Sequence, residues 1–167
     1  TPMGGVHAFD QWVTIICSTP GASIYYTTDG SMPTTSSALY SGPINVAGHN
    51  TTMTVRAMAA APGYSDSAIV AETYTISYPP APSPTFNPMG GTYSSDITVI
   101  LSNWPAGSVI YYTTDGSAPT TSSAVYSAPI PVSGNGTTMT IRAMGTATGY
   151  SASAISQETY TINYSQA

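Results

Sequence analysis

Carboxylates are the most numerous side chains that carry a charge at pH 7 in this chain, and two of them facing each other across a sugar could hydrolyse a glycosidic bond. The 167 residues contain seven acidic side chains, which are Asp10, Asp29, Asp66, Glu72, Asp96, Asp115 and Glu158. Three of these positions occur twice, at a separation of 86 residues: Asp10 and Asp96, Asp29 and Asp115, Glu72 and Glu158. We interpret the repeated Asp residues as strand and turn residues and the repeated Glu as structural. No catalytic residue is predicted.

The repeated glutamates have one obvious partner each, because each copy contains a single arginine. We predict structural ion pairs between Arg56 and Glu72 and between Arg142 and Glu158, across adjacent strands. Alternation places Glu72 on the presumed core side of its strand, so a β-bulge would be needed to turn it outward.

Histidine and cysteine are too sparse to predict a metal site or a cofactor. His7 and His49 align with Tyr93 and Asn135 of the other copy, and no cysteine or carboxylate stands beside them at zinc-binding spacing. Cys17 is the only cysteine. It is either a small residue at a strand end or a thiol that forms an intersubunit disulfide or reacts.

The charge pattern excludes several classes of function. The chain has no lysine, only two arginines and a net charge of −5, so it offers no basic face to nucleic acid. Without lysine it cannot form the Lys–Asn or Lys–Asp isopeptide bonds of surface adhesins. No apolar run reaches the eighteen residues that would predict membrane insertion.

Recognition by aromatic side chains is the remaining possibility for chemistry at the surface. If Ile24 and Tyr26 point inward, Tyr25 points outward, and the same alternation exposes Tyr111. Such rings could lie against a sugar or contact another protein. Tyr64 and Tyr150, each after a glycine in a turn, have the same two interpretations. Three Asn residues match the N-glycan acceptor pattern: Asn50, Asn135 and Asn163.

The elements that carry these residues are β-strands, because β-branched and aromatic residues alternate with polar ones between clusters of turn formers. In the second copy the predicted strands are Pro84–Phe86, Asp96–Ser102, Ser108–Thr114, Ala124–Tyr126, Pro129–Val132, Thr137–Gly145 and Ser153–Asn163. The predicted structural turns are Asp29-Gly30 and Asp115-Gly116, which directly follow the two Tyr-Tyr-Thr-Thr strands. This pattern predicts an all-β protein made of sandwiches.

The internal repeat divides the chain into two domains. We predict a first sandwich over residues 1–78, a proline-rich linker over residues 79–83 and a second sandwich over residues 84–167. Proline favours extended backbone in such a segment, so we expect a stiff spacer with the two domains end to end.

Several short motifs resemble those of a known family. In the second copy they are P-x-G-G-T-Y at Pro88–Tyr93, V-I-Y-Y-T-T-D-G-S-x-P-T at Val109–Thr120, Y-S-x-P-I at Tyr126–Ile130, T-I-R-A at Thr140–Ala143, G-Y-S-x-S at Gly149–Ser153 and T-Y-T-I at Thr159–Ile162. This arrangement resembles the immunoglobulin-like domain at the C-terminus of chitobiases and β-hexosaminidases, and it covers nearly all of both copies. The resemblance implies two tandem immunoglobulin-like (fibronectin III-like) β-sandwiches, appended to secreted or surface proteins and without catalytic residues of their own.

The two copies differ at their start. The second copy has Pro82–Phe86 before Asn87-Pro88, whereas the first begins at Thr1-Pro2, which match Asn87-Pro88. The leading strand of the first sandwich is therefore truncated, and an open sheet edge is a template for another chain. Either head-to-tail assembly or a shortened chain explains this difference.

These observations favour a non-catalytic structural protein, extracellular or at the cell surface. We predict a subunit of a surface filament, layer or adhesive stalk, whose partners are copies of itself or other surface proteins. The alternative is a carbohydrate-binding accessory module of a glycan-degrading enzyme, with polysaccharide as its partner.

Overall fold

Short strands joined by turns form the protein throughout residues 1–165, the part of the chain that the computed structural model describes. The strands are β1 (Gly5–His7), β2 (Gln11–Val13), β3 (Ser23–Thr27), β4 (Ala38–Leu39), β5 (Ile44–Val46), β6 (Thr52–Ala60), β7 (Val70–Ile76), β8 (Thr85–Asn87), β9 (Gly91–Tyr93), β10 (Ile97–Ser102), β11 (Val109–Thr113), β12 (Ala124–Val125), β13 (Ile130–Val132), β14 (Thr138–Thr146) and β15 (Ser156–Ile162). Within residues 1–165 there is no helix with the length and apolarity needed to span a bilayer.

The strands divide into two compact units, Thr1–Tyr78 and Pro79–Ala167. In the first unit a five-stranded sheet has the order β1-β7-β6-β3-β4, and β2 pairs with β5 in a second sheet. In the second unit the sheets have the orders β12-β11-β14-β15-β9 and β13-β10-β8. The pairs β1–β7 and β9–β15 are parallel, and the other strand pairs are antiparallel.

Each unit buries one apolar core between its two sheets, because alternate residues of a strand point to the same face. In the second unit the buried core residues are Val99, Leu101, Ile110, Ile130, Val132, Ile141, Ala143, Tyr160 and Ile162. In the first unit they are Val13, Val46, Val55, Tyr74 and Ile76. Both sheets of each unit contribute to these sets. The prediction of an all-β protein with two tandem immunoglobulin-like (fibronectin III-like) β-sandwiches is confirmed.

The segment 79–83, predicted as a linker, hydrogen-bonds to the second unit. The Ser151 amide donates to the Pro79 carbonyl, and the Ala81 amide donates to the Ser151 carbonyl, each at 2.9 Å. Ala81 is only 4% exposed, and the Ser83 hydroxyl donates to the Ala154 carbonyl at 3.0 Å. Whether this segment also acts as a spacer stays a prediction.

Candidate functional site

The two Asp–Gly turns have the same local hydrogen bonds in both units. Asp29 Oδ1 accepts from the Ser31 amide at 2.9 Å and from the Ser31 hydroxyl at 2.6 Å, and Asp115 accepts from Ser117 at the same distances. The glycine that follows each Asp has a φ of about 80°, which suits glycine. The serine hydroxyl, and then its amide, lower the pKa of each of these carboxyls. Both carboxylates are thus engaged in shaping a turn.

The carboxylates of Asp10 and Asp96 each connect two distant segments of a unit. Asp96 Oδ1 accepts from the Tyr164 hydroxyl at 2.6 Å and from the Gly134 amide at 3.0 Å. Asp10 accepts in the same way from the Tyr78 hydroxyl and the Gly48 amide. These bonds hold the end of each unit against the turn that precedes its nine-residue strand.

The repeated glutamates hold a backbone amide and not an arginine, so the predicted ion pairs Arg56–Glu72 and Arg142–Glu158 are wrong. Glu72 lies opposite Val55 in the β6–β7 pair, whereas Arg56 lies opposite Ala71. Successive residues of a strand point to opposite faces, so Arg56 and Glu72 lie on different faces of the sheet.

Each glutamate carboxylate remains on the core side, as its alternation indicates, without the bulge that an ion pair would need. Glu72 accepts from the Gly4 amide at 3.0 Å, and Glu158 accepts from the Gly90 amide at 2.9 Å. The guanidinium of Arg142 donates instead to the Gly116 carbonyl at 3.2 Å, next to the Asp–Gly turn.

The histidines have structural counterparts of a different residue type in the other unit. His49 Nδ1 accepts from the Tyr78 amide at 2.9 Å, and Asn135 Oδ1 accepts from the Tyr164 amide at 2.8 Å. His7 Nε2 lies 3.2 Å from the Met3 carbonyl oxygen. In the second unit the Tyr93 hydroxyl makes the corresponding contact, because it donates to the Met89 carbonyl. Within residues 1–165 no group of three or more His, Cys, Asp or Glu side chains could hold a metal ion.

The tyrosines proposed for surface recognition differ in exposure. Ile110 is buried and Tyr112 packs against the core, so Tyr111 between them points to the outer face, where it is half-buried. Tyr25 occupies the same position in the first unit. Tyr64 is 72% exposed, whereas Tyr150 is half-buried. Tyr25 and Tyr111 thus form a repeated aromatic position on the outer faces of the large sheets.

The sites predicted for modification lie at the surface. Cys17 is a free, exposed thiol, and an intersubunit disulfide stays a prediction. The predicted glycan acceptors Asn50, Asn135 and Asn163 are all exposed, and their glycosylation stays a prediction. Asn135 already uses its carbonyl oxygen to accept from a backbone amide, as described above.

The clearest difference between the units is at one edge of the sandwich. In the second unit β8 pairs with β10, with Phe86 opposite Leu101 and Thr85 opposite Ser102. Phe86 packs against the core and Pro84 is buried. Residues 79–87 therefore cover this edge of the second unit.

The corresponding edge of the first unit is an apolar groove, which we call the edge groove. Two adjoining cavities of about 230 and 290 Å³ form it. The residues that line both cavities are Ile15, Ile16, Ala57 and Val70, and Cys17 lines the second cavity only. Ile16 is 83% exposed and Val70 is 62% exposed, which is unusual for aliphatic side chains that lie close together.

The sequence indicated an open edge but not the residues of the edge groove. The available signal was the comparison of aligned positions, since Val70 stands where the second copy has Ser156 and Ile16 stands where it has Ser102. In both places an aliphatic side chain replaces a serine, which makes this edge of the first unit more apolar than the corresponding edge of the second.

Comparison with known proteins agrees with the motifs. The family model of the chitobiase/beta-hexosaminidase C-terminal domain matches residues 2–72 and 88–159, so the predicted resemblance in two tandem copies is confirmed. Among solved structures the chain is similar to the fibronectin(III)-like modules of Clostridium thermocellum CbhA, at 11% sequence identity and a TM-score of 0.37, over 98% of this chain and 92% of that chain. A comparison with curated proteins found no match.

Proposed function

Because this chain belongs to the family of chitobiase/β-hexosaminidase C-terminal domains, we propose that it is a non-catalytic, extracellular structural protein that assembles head to tail at a surface. The observation that carries the proposal is the exposed aliphatic lining of the edge groove of the first unit, where Ile16 is 83% and Val70 is 62% exposed. An uncovered sheet edge beside an apolar groove is a site where a neighbouring chain can add a strand. A filament, layer or adhesive stalk is built by repeating that contact.

The use of the carboxylates supports a non-catalytic role. Each of the six repeated acidic side chains accepts at least one hydrogen bond from a backbone amide of its own unit. A glycosidase needs two carboxylates that face each other across a substrate and are free to act on it. We therefore expect the pure protein to release no product from aryl glycosides, and turnover would overturn this part of the proposal.

The assembly is tested by light scattering and negative-stain electron microscopy at increasing protein concentration. We expect concentration-dependent particles that lengthen in one direction, and we expect Val70→Glu to abolish them, because it adds a second carboxylate to a groove that Glu72 already lines at one end and offers it no cationic side chain. The matched control is Val6→Glu, at an exposed strand position of the first unit that lines neither cavity. Monomers at every concentration would contradict the proposal.

A second candidate function rests on Tyr25 and Tyr111. Each is half-buried on the outer face of the larger sheet in its unit, and each lies opposite an exposed aliphatic residue, Leu39 or Val125. Two such patches suit the apolar face of a sugar ring, as a carbohydrate-binding accessory module requires.

Retention on insoluble chitin and other glycans tests this second candidate. Loss of retention in Tyr25→Ala with Tyr111→Ala would support an accessory module, and Phe9→Ala, which removes an exposed aromatic ring elsewhere, is the control. Equal behaviour of the native protein and the double variant would count against it.

A further inference from the structure

The loop that follows β10 places a tryptophan at the surface of the second unit. Trp104 is 65% exposed, although tryptophan side chains are highly buried on average. The first unit has Ser18 at the aligned position, so the fold does not require an aromatic residue there. An indole ring combines a large apolar area with an N–H donor, which suits it to contact a ligand.

Local hydrogen bonds hold this loop through its backbone. The Trp104 amide donates to Asn103 Oδ1 at 2.9 Å. The Ser108 amide donates to the Pro105 carbonyl at 3.1 Å, which closes the turn after the tryptophan. Neither bond involves the indole ring. The position of Trp104 is therefore fixed by its neighbours while its ring remains at the surface.

The side chain of Asn103 fits beside β14 because residue 145 is glycine. A Cβ atom on Gly145 would collide with Asn103 Nδ2 and would lie 3.1 Å from Asn103 Cγ. The first unit has Cys17 and Ala59 at the aligned positions, so it has neither the amide nor the glycine that makes room for it. Asn103 and Gly145 thus form a matched pair in the second unit, and this pair positions Trp104.

A cavity of about 270 Å³ lies beside Trp104. The other residues that line it are Pro82, Ser83, Thr85, Ser102 and Asn103. Thr85 lies opposite Ser102 in the β8–β10 pair, and both point to the outer face because Phe86 and Leu101 point to the core. The cavity is therefore lined by an indole and by three residues with hydroxyl groups, and none of the described residues around it carries a charge.

A neutral sugar ring matches this combination of groups. Its C–H groups form an apolar face that an indole can cover, and its hydroxyls can pair with serine and threonine. Pockets for small ligands begin at about 300 Å³, so the cavity has room for about one ring. An anionic sugar would find no cationic side chain in the lining, and the net charge of −5 would repel it. Sugars of the glucose configuration in β-1,4 linkage suit the indole best, because their ring substituents are equatorial and leave C–H groups on both faces.

We propose that this cavity binds one ring of a neutral β-1,4-linked glucose polymer. Trp104 covers the apolar face of the ring, and Ser83, Thr85 and Ser102 hold its hydroxyl groups. This inference rests on the second candidate function above, because it names a binding position and a sugar class for an accessory module. It does not depend on head-to-tail assembly, and it uses neither Tyr25 nor Tyr111.

Calorimetric titration of the intact protein with cellohexaose tests the site. We expect saturable binding, and we expect Trp104→Ala to weaken it by about tenfold or more, as truncation of a tryptophan at the centre of a contact does. Ser102→Ala should weaken it by about two- to tenfold through the loss of one hydrogen bond. The matched control is Trp12→Ala, which removes an indole that is 63% exposed in β2 and does not line this cavity.

Fluorescence and a charged ligand provide two further readouts. In a Trp12→Phe background, the emission of Trp104 should shift to shorter wavelength as cellohexaose saturates the site, because the sugar displaces water from the ring. A hexaglucuronate of the same linkage should bind about tenfold more weakly, since its carboxylates would lose hydration without gaining a partner.

The outcomes separate this site from the tyrosine candidate. Loss of binding in Trp104→Ala, with full binding in Tyr25→Ala with Tyr111→Ala, would support the cavity and count against the tyrosines. The reverse pattern would overturn this inference and leave the tyrosine candidate. Failure of cellohexaose to bind, equal binding of hexaglucuronate, or binding of a proline-rich peptide in place of the sugar would each overturn this inference as well.

Discussion

Gly4 lies directly before β1, and its amide donates to the Glu72 carboxylate of β7. A Cβ atom on Gly4 would lie 2.8 Å from the Thr73 carbonyl oxygen and 3.0 Å from the Thr73 nitrogen, and it would collide with the Glu72 carboxylate. The Thr73 backbone is held in the sheet, so it cannot yield without disturbing the β6–β7 pairing. We expect Gly4→Ala to lower the free energy of unfolding of the first unit by about 1–3 kcal/mol.

This loss is measured by urea unfolding monitored through the fluorescence of Trp12. The measurement uses a Trp104→Phe background, so that all tryptophan fluorescence comes from the first unit. The matched control is Gly42→Ala, because Gly42 has open space around its Cβ position and its counterpart in the second unit is Ala128. We expect that control to change the free energy of unfolding by less than about 0.5 kcal/mol. A similar loss in both variants would show that close approach to β7 is not the cause.

Asp10 and Asp96 should make stability depend on pH. Hydrogen bonds from Tyr78 and then from Gly48 lower the pKa of Asp10, and Tyr164 and then Gly134 do the same for Asp96. A folded-state pKa below the unfolded value means that these carboxylates stabilise the fold above about pH 4. That contribution is lost as the pH falls from about 4 through the folded-state pKa.

We therefore expect the native protein to lose stability in urea between pH 5 and pH 2.5, and we expect Asp10→Asn with Asp96→Asn to reduce the slope. The exposed Asp66 provides a charge-matched control as Asp66→Asn. A slope that the double variant leaves unchanged would contradict the assignment.

At the scale of the strands, periodicity predicted most elements, because each long strand has one buried face. The predicted strand Thr137–Gly145 corresponds to β14 and Asp96–Ser102 to β10, with differences of one residue at their ends. The parallel pairing of β1 with β7 could not be predicted, since it joins a three-residue strand to the other end of the unit.

Register also limited the prediction of side-chain partners. The prediction of an Arg56–Glu72 ion pair was wrong because the register between β6 and β7 could not be predicted. Changing the register by one residue moves every side chain of a strand to the other face of the sheet, and the number of residues between Arg56 and Glu72 does not determine the register. The hydrogen bond that Glu72 does make depends on a glycine amide 68 residues away.

The strand β8 provides a test of packing at the edge of the second unit. Phe86 is half-buried against the core. Phe86→Ala should therefore lower the free energy of unfolding of the second unit by about 2 kcal/mol, about half of the loss expected for a fully buried phenylalanine. Urea unfolding followed by Trp104 fluorescence, in a Trp12→Phe background, measures the loss. Phe9→Ala, at an exposed position of the first unit, should leave this transition unchanged, and an unchanged transition in Phe86→Ala would contradict the packing role of β8.

At the scale of the whole molecule, the two units keep the same contacts with different residues. His49 and Asn135 both accept from the amide of the tyrosine that follows the last strand, and both units fix that tyrosine's hydroxyl with an aspartate. Each unit therefore contains the bonds that close its own sandwich. This self-sufficiency supports folding of each unit on its own.

The boundary between the units can then be located by truncation. A fragment of residues 79–167 includes the hydrogen bonds of Pro79 and Ala81 to Ser151 and the buried side chain of Ala81, whereas a fragment of residues 84–167 loses them. We expect both fragments to unfold cooperatively. We expect the shorter one to be less stable by about 1–3 kcal/mol, the cost of three lost hydrogen bonds, including that from Ser83 to Ala154, and one uncovered apolar site. Calorimetry of the two fragments measures this difference. Equal stability would mean that residues 79–83 contribute nothing to the second unit and act as a linker only.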